Sequence, residues 1–123
     1  MNIKSFEDLS VWQMSMDLIV EIYELIKLLP KEENYALSDQ MRRSAVSIAS
    51  NIAEGQQRDS IKEYIHFLAI SRGSCGELYT HLLICRRLNY LTDERISHSI
   101  DLNKRIGRML SSLIQSLKQQ SNL

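Results

Sequence analysis

Proline is nearly missing from this chain: Pro30 is the only one, and glycine occurs four times in 123 residues. So little breaker chemistry cannot punctuate the many short strands of a β-sandwich or barrel, and it rules out proline-rich or glycine-rich linker sequence. Long apolar runs are absent too, and nothing approaches the roughly 20 residues that would span a bilayer, so no membrane partner is expected. Cysteine is reduced to Cys75 and Cys85. Both fall in one predicted helix, where ten residues of rise set them ~15 Å apart, too far for a disulfide, and they read as small buried apolar groups. A basic segment leading into an apolar one is missing at the start, where Glu7 and Asp8 stand instead, so the secretion-signal pattern fails and a cytoplasmic location is expected. Net charge is missing as well, fifteen basic residues balancing fifteen acidic ones.

What is present is 44% hydrophobic residues in a length that suits one domain, residues 1–123, built around a single core. The charge is unevenly placed. Residues 1–34 carry Lys4, Lys27 and Lys31 against seven acids, a net of −4, which leaves +4 on the remaining 89 residues. That basic excess is largely arginine: Arg42, Arg43, Arg58, Arg72, Arg86, Arg87, Arg95, Arg105 and Arg108. Arginine suits bidentate contacts to phosphate, which keeps a nucleic-acid partner open, and it equally suits salt bridges between helices or subunits. A pI near 6.8 weighs against a strongly basic nucleic-acid binder.

Periodicity and punctuation predict four helices. The first, over roughly 8–29, puts Val11, Leu18, Ile22, Leu25, Ile26 and Leu29 on one side and stops at Pro30. The second, over roughly 37–54, carries Leu37, Met41, Ala45, Ile48 and Ile52, with Val46, Ala49 and Ala53 widening the apolar arc. Gly55 is expected to close it in the left-handed conformation. A third helix opens on a capping box, Ser60 with Glu63, and runs to about Leu88. Its apolar residues cover more than one stripe, so it is the candidate to contact both its own bundle and a second subunit. The fourth starts from a Thr92 cap, brings Ile96, Ile100, Ile106, Met109, Leu110, Leu113, Ile114 and Leu117 to the core, and is expected to fray from Gln119. Short connections between long amphipathic helices give an all-α, antiparallel up-down-up-down four-helix bundle.

Catalytic chemistry finds little support. A di-iron site needs two Glu-x-x-His pairs, and only Glu63 to His66 is present. Glu77 and His81 are four residues apart, yet no second ligand pair completes a metal shell, and no cofactor is expected. The pattern of helical RNA nucleases, an arginine followed four to six residues later by histidine, does not occur before His66, His81 or His98. The serines at 44, 47, 50, 71 and 74 lie on helices without a predicted activating base and read as small packing groups. Gly73 and Gly76 fall mid-helix, each costing ~1 kcal/mol against alanine, so close approach by another helix is expected there. Ser47, Asn51 and Glu54 follow at spacings of four and three, which stacks them in a polar stripe facing either solvent or a packed neighbour.

Together these segments carry a resemblance. Phe6-x-x-Leu9-x-Val11-Trp12-Gln13, then Leu37-x-x-Gln40-Met41-Arg42-Arg43-Ser44 and Ser47-Ile48-x-x-Asn51-Ile52-Ala53-Glu54-Gly55, then Phe67-Leu68 and Arg72-Gly73-Ser74-x-x-Glu77-Leu78, resemble the four-helix proteins of the 23S rRNA intervening-sequence family, also called S23. The order is kept over nearly the whole chain, and Ser71 stands where the family more often has alanine. The resemblance implies a homopentameric ring of bundles without enzymatic activity. It further implies that Ser47, Asn51, Glu54, Gly55, Gly73, Ser74 and Glu77 are structural motif positions. Such proteins are encoded in insertions within ribosomal RNA genes or elsewhere in bacterial genomes. The fold is also similar to that of the accessory variability determinant of diversity-generating retroelements, a basic pentamer.

Two functional expectations follow. In the first, a homo-oligomer binds RNA or DNA through Arg42, Arg43, Arg58, Arg72, Arg86, Arg87, Arg105 and Arg108, repeated around a ring. In the second, the ring is a scaffold for a protein partner, and the same arginines form ion pairs between protomers.

Overall fold

The computed structural model describes residues 5–122, so Met1 to Lys4 and Leu123 lie outside the described residues. Four helices carry the fold: α1 (Ser10–Ile26), α2 (Leu37–Gln56), α3 (Ile61–Arg87) and α4 (Asp93–Ser121). α1 and α3 each pack between α2 and α4, closing a square whose most extensive side joins α2 to α3. No strand occurs among the described residues.

Local chemistry sets the helix ends. The chain enters through a 3-10 turn, Phe6–Asp8, capped by the Ser5 hydroxyl, with Asp8 reaching back to the Ser5 amide. Phe6 meets Trp12 edge to face at 5.2 Å between ring centroids, and this pins the turn to α1. α1 is shorter than the expected span at both ends. Its first residues form that turn, and its last helical residue is Ile26, because Leu28 and Leu29 bond only three residues back. Pro30 then opens a second 3-10 turn, Lys31–Glu33, at φ −62°.

Ser60 caps α3 by accepting from the Glu63 amide at 3.1 Å. The reciprocal half of the expected capping box does not form. The Glu63 carboxylate instead accepts from the Ser60 hydroxyl at 3.4 Å. Thr92 caps α4 as expected, accepting from the Arg95 amide at 3.2 Å. At the far end of α3, Asn89 takes φ 62°. Tyr90 and Asn89 then donate to the Cys85 and Arg86 carbonyls at 2.9 and 3.2 Å, the two bonds of a Schellman ending. α4 stays helical through Ser121, beyond the point where fraying was expected.

Gly55 corrects the expectation placed on it. It sits inside α2, and no glycine among the described residues has positive φ. Its reason is space: a Cβ there would lie 2.9 Å from Phe67 Cβ and 3.2 Å from the Tyr64 carbonyl oxygen of α3. Gly73 and Gly76 were expected to admit a neighbouring helix, and no helix of this chain is that neighbour, since a Cβ at either meets nothing within 4 Å. Both lie on the outer face of α3, exposed in this chain.

The core is the apolar stripe of every helix. Leu18, Ile22, Met41, Ile48, Ile52, Leu68, Leu78, Leu82, Ile106 and Leu110 are all fully buried, and each such side chain contributes roughly 1.5–3 kcal/mol. Cys85 and Cys75 join them as free thiols, and burial pushes their pKa values up to about 11 and about 12. They are inert apolar groups at neutral pH, as the sequence indicated.

Candidate functional site

The fourth turn of α3 and the middle of α4 bring three cations to one groove and a fourth beside it. Arg72 projects from α3, and Lys104 and Arg108 from α4, around an opening of about 560 Å³ completed by Gly107, Ser111 and Ser112. Arg105 joins through an adjoining depression that shares Arg108 and Ser112. No carboxylate lines either one. The Arg72 guanidinium donates to Ser111 Oγ at 3.3 Å, and the Lys104 ammonium rests 4.9 Å from the centroid of the Tyr79 ring. Both positions are anchored by neutral groups, which leaves the charges uncompensated. Helical spacing explains the gathering, since Lys104 and Arg108 are four apart and Arg105 and Arg108 three apart.

The other nominated arginines are placed differently. Arg42 and Arg43 share Asp39 at 3.7 and 2.9 Å. Arg42 also donates to the Asn34 carbonyl at 2.9 Å, tying α2 to the preceding loop. Arg58 bonds Glu54 at 2.5 Å and lies over the Phe67 ring at 4.7 Å. Arg86 bonds Asp93 at 2.6 Å across the α3–α4 turn, and this contact raises its pKa further. Arg87 is exposed at the end of α3, away from the groove residues. Of the eight, then, Arg72, Arg105 and Arg108 converge, while four are engaged by acids of their own chain.

The polar stripe of α2 divides. Asn51 donates to the Ser47 carbonyl and hydroxyl at 2.8 and 2.9 Å, and Ser74 of α3 meets Ser47 at 3.0 Å. Ser71 donates to the Ile48 carbonyl at 2.8 Å. Ser47 thus faces a packed neighbour and half-buried Asn51 bonds to it along α2, whereas Glu54 is exposed and pairs along its own helix. Small hydroxyls and Gly55 together let α2 and α3 run close, satisfying buried polar groups across the contact.

One feature of this seam was not readable in the sequence: Ser44 has a base beside it. Its Oγ lies 3.1 Å from His81 Nδ1 and 2.7 Å from the Gln40 carbonyl. Ser44 has one proton, and the shorter contact to the carbonyl takes it. His81 Nδ1 is then the donor, so the imidazole does not activate the hydroxyl. Ser44 is buried, and its hydroxyl holds the ring in place. Desolvation lowers the His81 pKa, with Glu77 opposing, so the ring is neutral at pH 7. Two side-chain atoms, Ser38 Oγ and Asn103 Oδ1, are buried without a partner.

Among the described residues no group of three or more His, Cys, Asp and Glu is placed to hold a metal ion. No described helix is long and apolar enough to cross a membrane. The fold and its surfaces define a class: a four-helix bundle with a close, serine-lined α2–α3 contact and an acid-free cationic groove. The family follows from comparison. The model of the 23S rRNA-intervening sequence protein family matches residues 7–112, and the chain belongs to that family. It is similar to a crystal structure of a protein of unknown function from the S23 ribosomal protein family of Bacteroides thetaiotaomicron, with a TM-score of 0.79 and 30% identity. That match covers 85% of this chain and 97% of the other. Comparison with curated proteins finds no match.

Proposed function

We propose that this protein is a non-enzymatic, cytoplasmic, homo-oligomeric binder of RNA or DNA that holds phosphate backbone in the α3–α4 groove. The observation that carries the reading is the gathering of Arg72, Lys104 and Arg108 around one opening, with Arg105 in the adjoining depression, neither lined by a carboxylate. Uncompensated cations repel one another, and a polyanion relieves that repulsion while releasing its own counterions. One protomer offers a modest patch on a neutral chain. Repetition in a ring multiplies it, which answers the objection raised by the pI.

Self-association is supported by two exposed apolar rows. Ile70, Leu83 and Ile84 lie on α3, the helix that carries Gly73 and Gly76, and Met16, Val20 and Tyr23 lie along α1 with Val46 beside Tyr23 on α2. These rows suit a head-to-tail contact, and family resemblance makes five the expected number of protomers.

Filter binding of a single-stranded RNA at several salt concentrations tests the groove. Replacing Arg72, Arg105 and Arg108 together by alanine should flatten the slope of log affinity against log salt by about 2 units for each groove the RNA engages, since each lost single-strand phosphate contact removes ~0.7. Arg42→Ala with Arg43→Ala should change it far less, because Asp39 already engages that pair. A wild-type protein with no salt-dependent binding defeats this reading and leaves the protein-partner scaffold.

A further inference from the structure

A second opening lies on the other side of α3, between it and α2. It encloses about 250 Å³ and is lined by Gln40, Arg43, Ser44, Ser47, Ser74, Glu77 and His81. Most of its polar groups are spent. Ser44 is bonded to Gln40 and His81, Ser47 to Asn51 and Ser74, and Arg43 to Asp39. Two are not. The Glu77 carboxylate makes no hydrogen bond or ion pair among the described residues, and neither does His81 Nε2, which carries a lone pair once Nδ1 donates to Ser44. Glu77 and His81 Nε2 are acceptors, the Gln40 amide offers an acceptor beside its N–H donors, and Glu77 is the one charged group of the lining without an ion pair.

We propose that this cleft is a binding site for an organic cation, an ammonium or guanidinium group, paired with Glu77 and hydrogen-bonded to His81 and the seam hydroxyls. An anion would meet the free carboxylate of Glu77, which repels it. A bare metal ion would find two strong protein ligands where a closed site needs about four. An ammonium or guanidinium brings three to five N–H donors, which matches an acceptor-rich opening of this size. The neutral state of His81 at pH 7 fits as well, because a protonated ring would compete with the ligand for Glu77.

The cation has two possible sources, a free amine such as a polyamine, or a lysine or arginine side chain of a second copy seated on α3. Agmatine, which carries both head groups, is the probe. The full-length protein is titrated with it in low-salt buffer while the histidine ring resonances and the light-scattering mass are followed. The expected result is a saturable movement of the His81 resonance, weakened about tenfold in Glu77→Gln, the scale of one charge-assisted bond. An unchanged mass then assigns the site to a free cation. A mass that falls on titration, and is already lower in Glu77→Gln, assigns it to the second copy. The proposal is overturned if His81 does not move and Glu77→Gln keeps the wild-type mass, or if His66 and His98 move in parallel with His81. The wild-type titration stands by itself should the variant fail to fold. Failure here leaves the α3–α4 groove untouched, because none of its residues takes part.

Discussion

Three glycines on two helices have opposite consequences. At Gly55, alanine would gain ~1 kcal/mol of helix propensity, but its methyl would press on Phe67 Cβ and the Tyr64 carbonyl, both held by α3. Overpacking of that kind costs about 1–3 kcal/mol, so Gly55→Ala should lower unfolding stability in urea by about 1 kcal/mol. Gly73→Ala meets nothing and should raise the stability of the isolated chain by about 0.5–1 kcal/mol. Gly55→Ala proving as stable as wild type would show that α2 and α3 can part at little cost. The sequence marks all three positions as unusual, since glycine in a helix needs a reason. It does not say which reason applies: Gly55 looks like a helix terminator and proves to be a contact, and the α3 pair looks like a contact and proves open. Deciding between them takes the distance to a helix that the local pattern does not contain.

At the scale of the helices, what is local was legible. α2 and α3 follow their expected spans within a residue or two, and Ser60 and Thr92 cap as their positions indicate. Partners across helices were not legible, because Ser44 with His81 and Arg72 with Ser111 depend on how each helix is rotated in the bundle. Two such cross-helix partners give the protein opposing pH responses. Glu21 of α1 accepts from Ser99 Oγ at 2.8 Å and from His98 Nδ1 at 2.9 Å, and this bond raises the pKa of His98 above 6.5. The stability it supplies to the α1–α4 contact is full below about pH 6.5 and is lost as pH rises through the folded value. His81 runs the other way. Burial lowers its folded pKa, so its contribution is full well above 6.5 and is lost as pH falls below 6.5 through the lower folded value. An NMR titration of the ring resonances should find His98 above 6.5 and His81 below it, with Glu21→Gln moving His98 alone. A His81 midpoint above 6.5 would contradict its burial against Ser44.

On the scale of the whole molecule, one chain leaves too much apolar surface unpaired for its outer faces to be explained by its own core. Ile84 is 38% exposed, Leu83 40% and Val20 64%, in two rows on different helices. Because the rows differ, a contact joining one to the other is heterologous, and it gives either a closed ring or an open filament, with no two-fold dimer. The open glycines of α3 favour the same contact, since they let a second helix come near where the chain itself supplies none. With five protomers, the number the family resemblance implies, light scattering on a sizing column should give a mass near five times 14.3 kDa. Ile84→Asp should reduce it to one protomer with helical circular dichroism unchanged, because a carboxylate buried in an apolar contact costs several kcal/mol while this side chain adds little to the protomer core. The same substitution should flatten the salt dependence of RNA affinity, as a lone protomer offers one cationic groove where a ring offers several. If Ile84→Asp keeps the assembled mass, the outer face of α3 is not the joint. If it yields monomers that bind RNA with the wild-type slope, the groove acts singly and the ring serves another purpose.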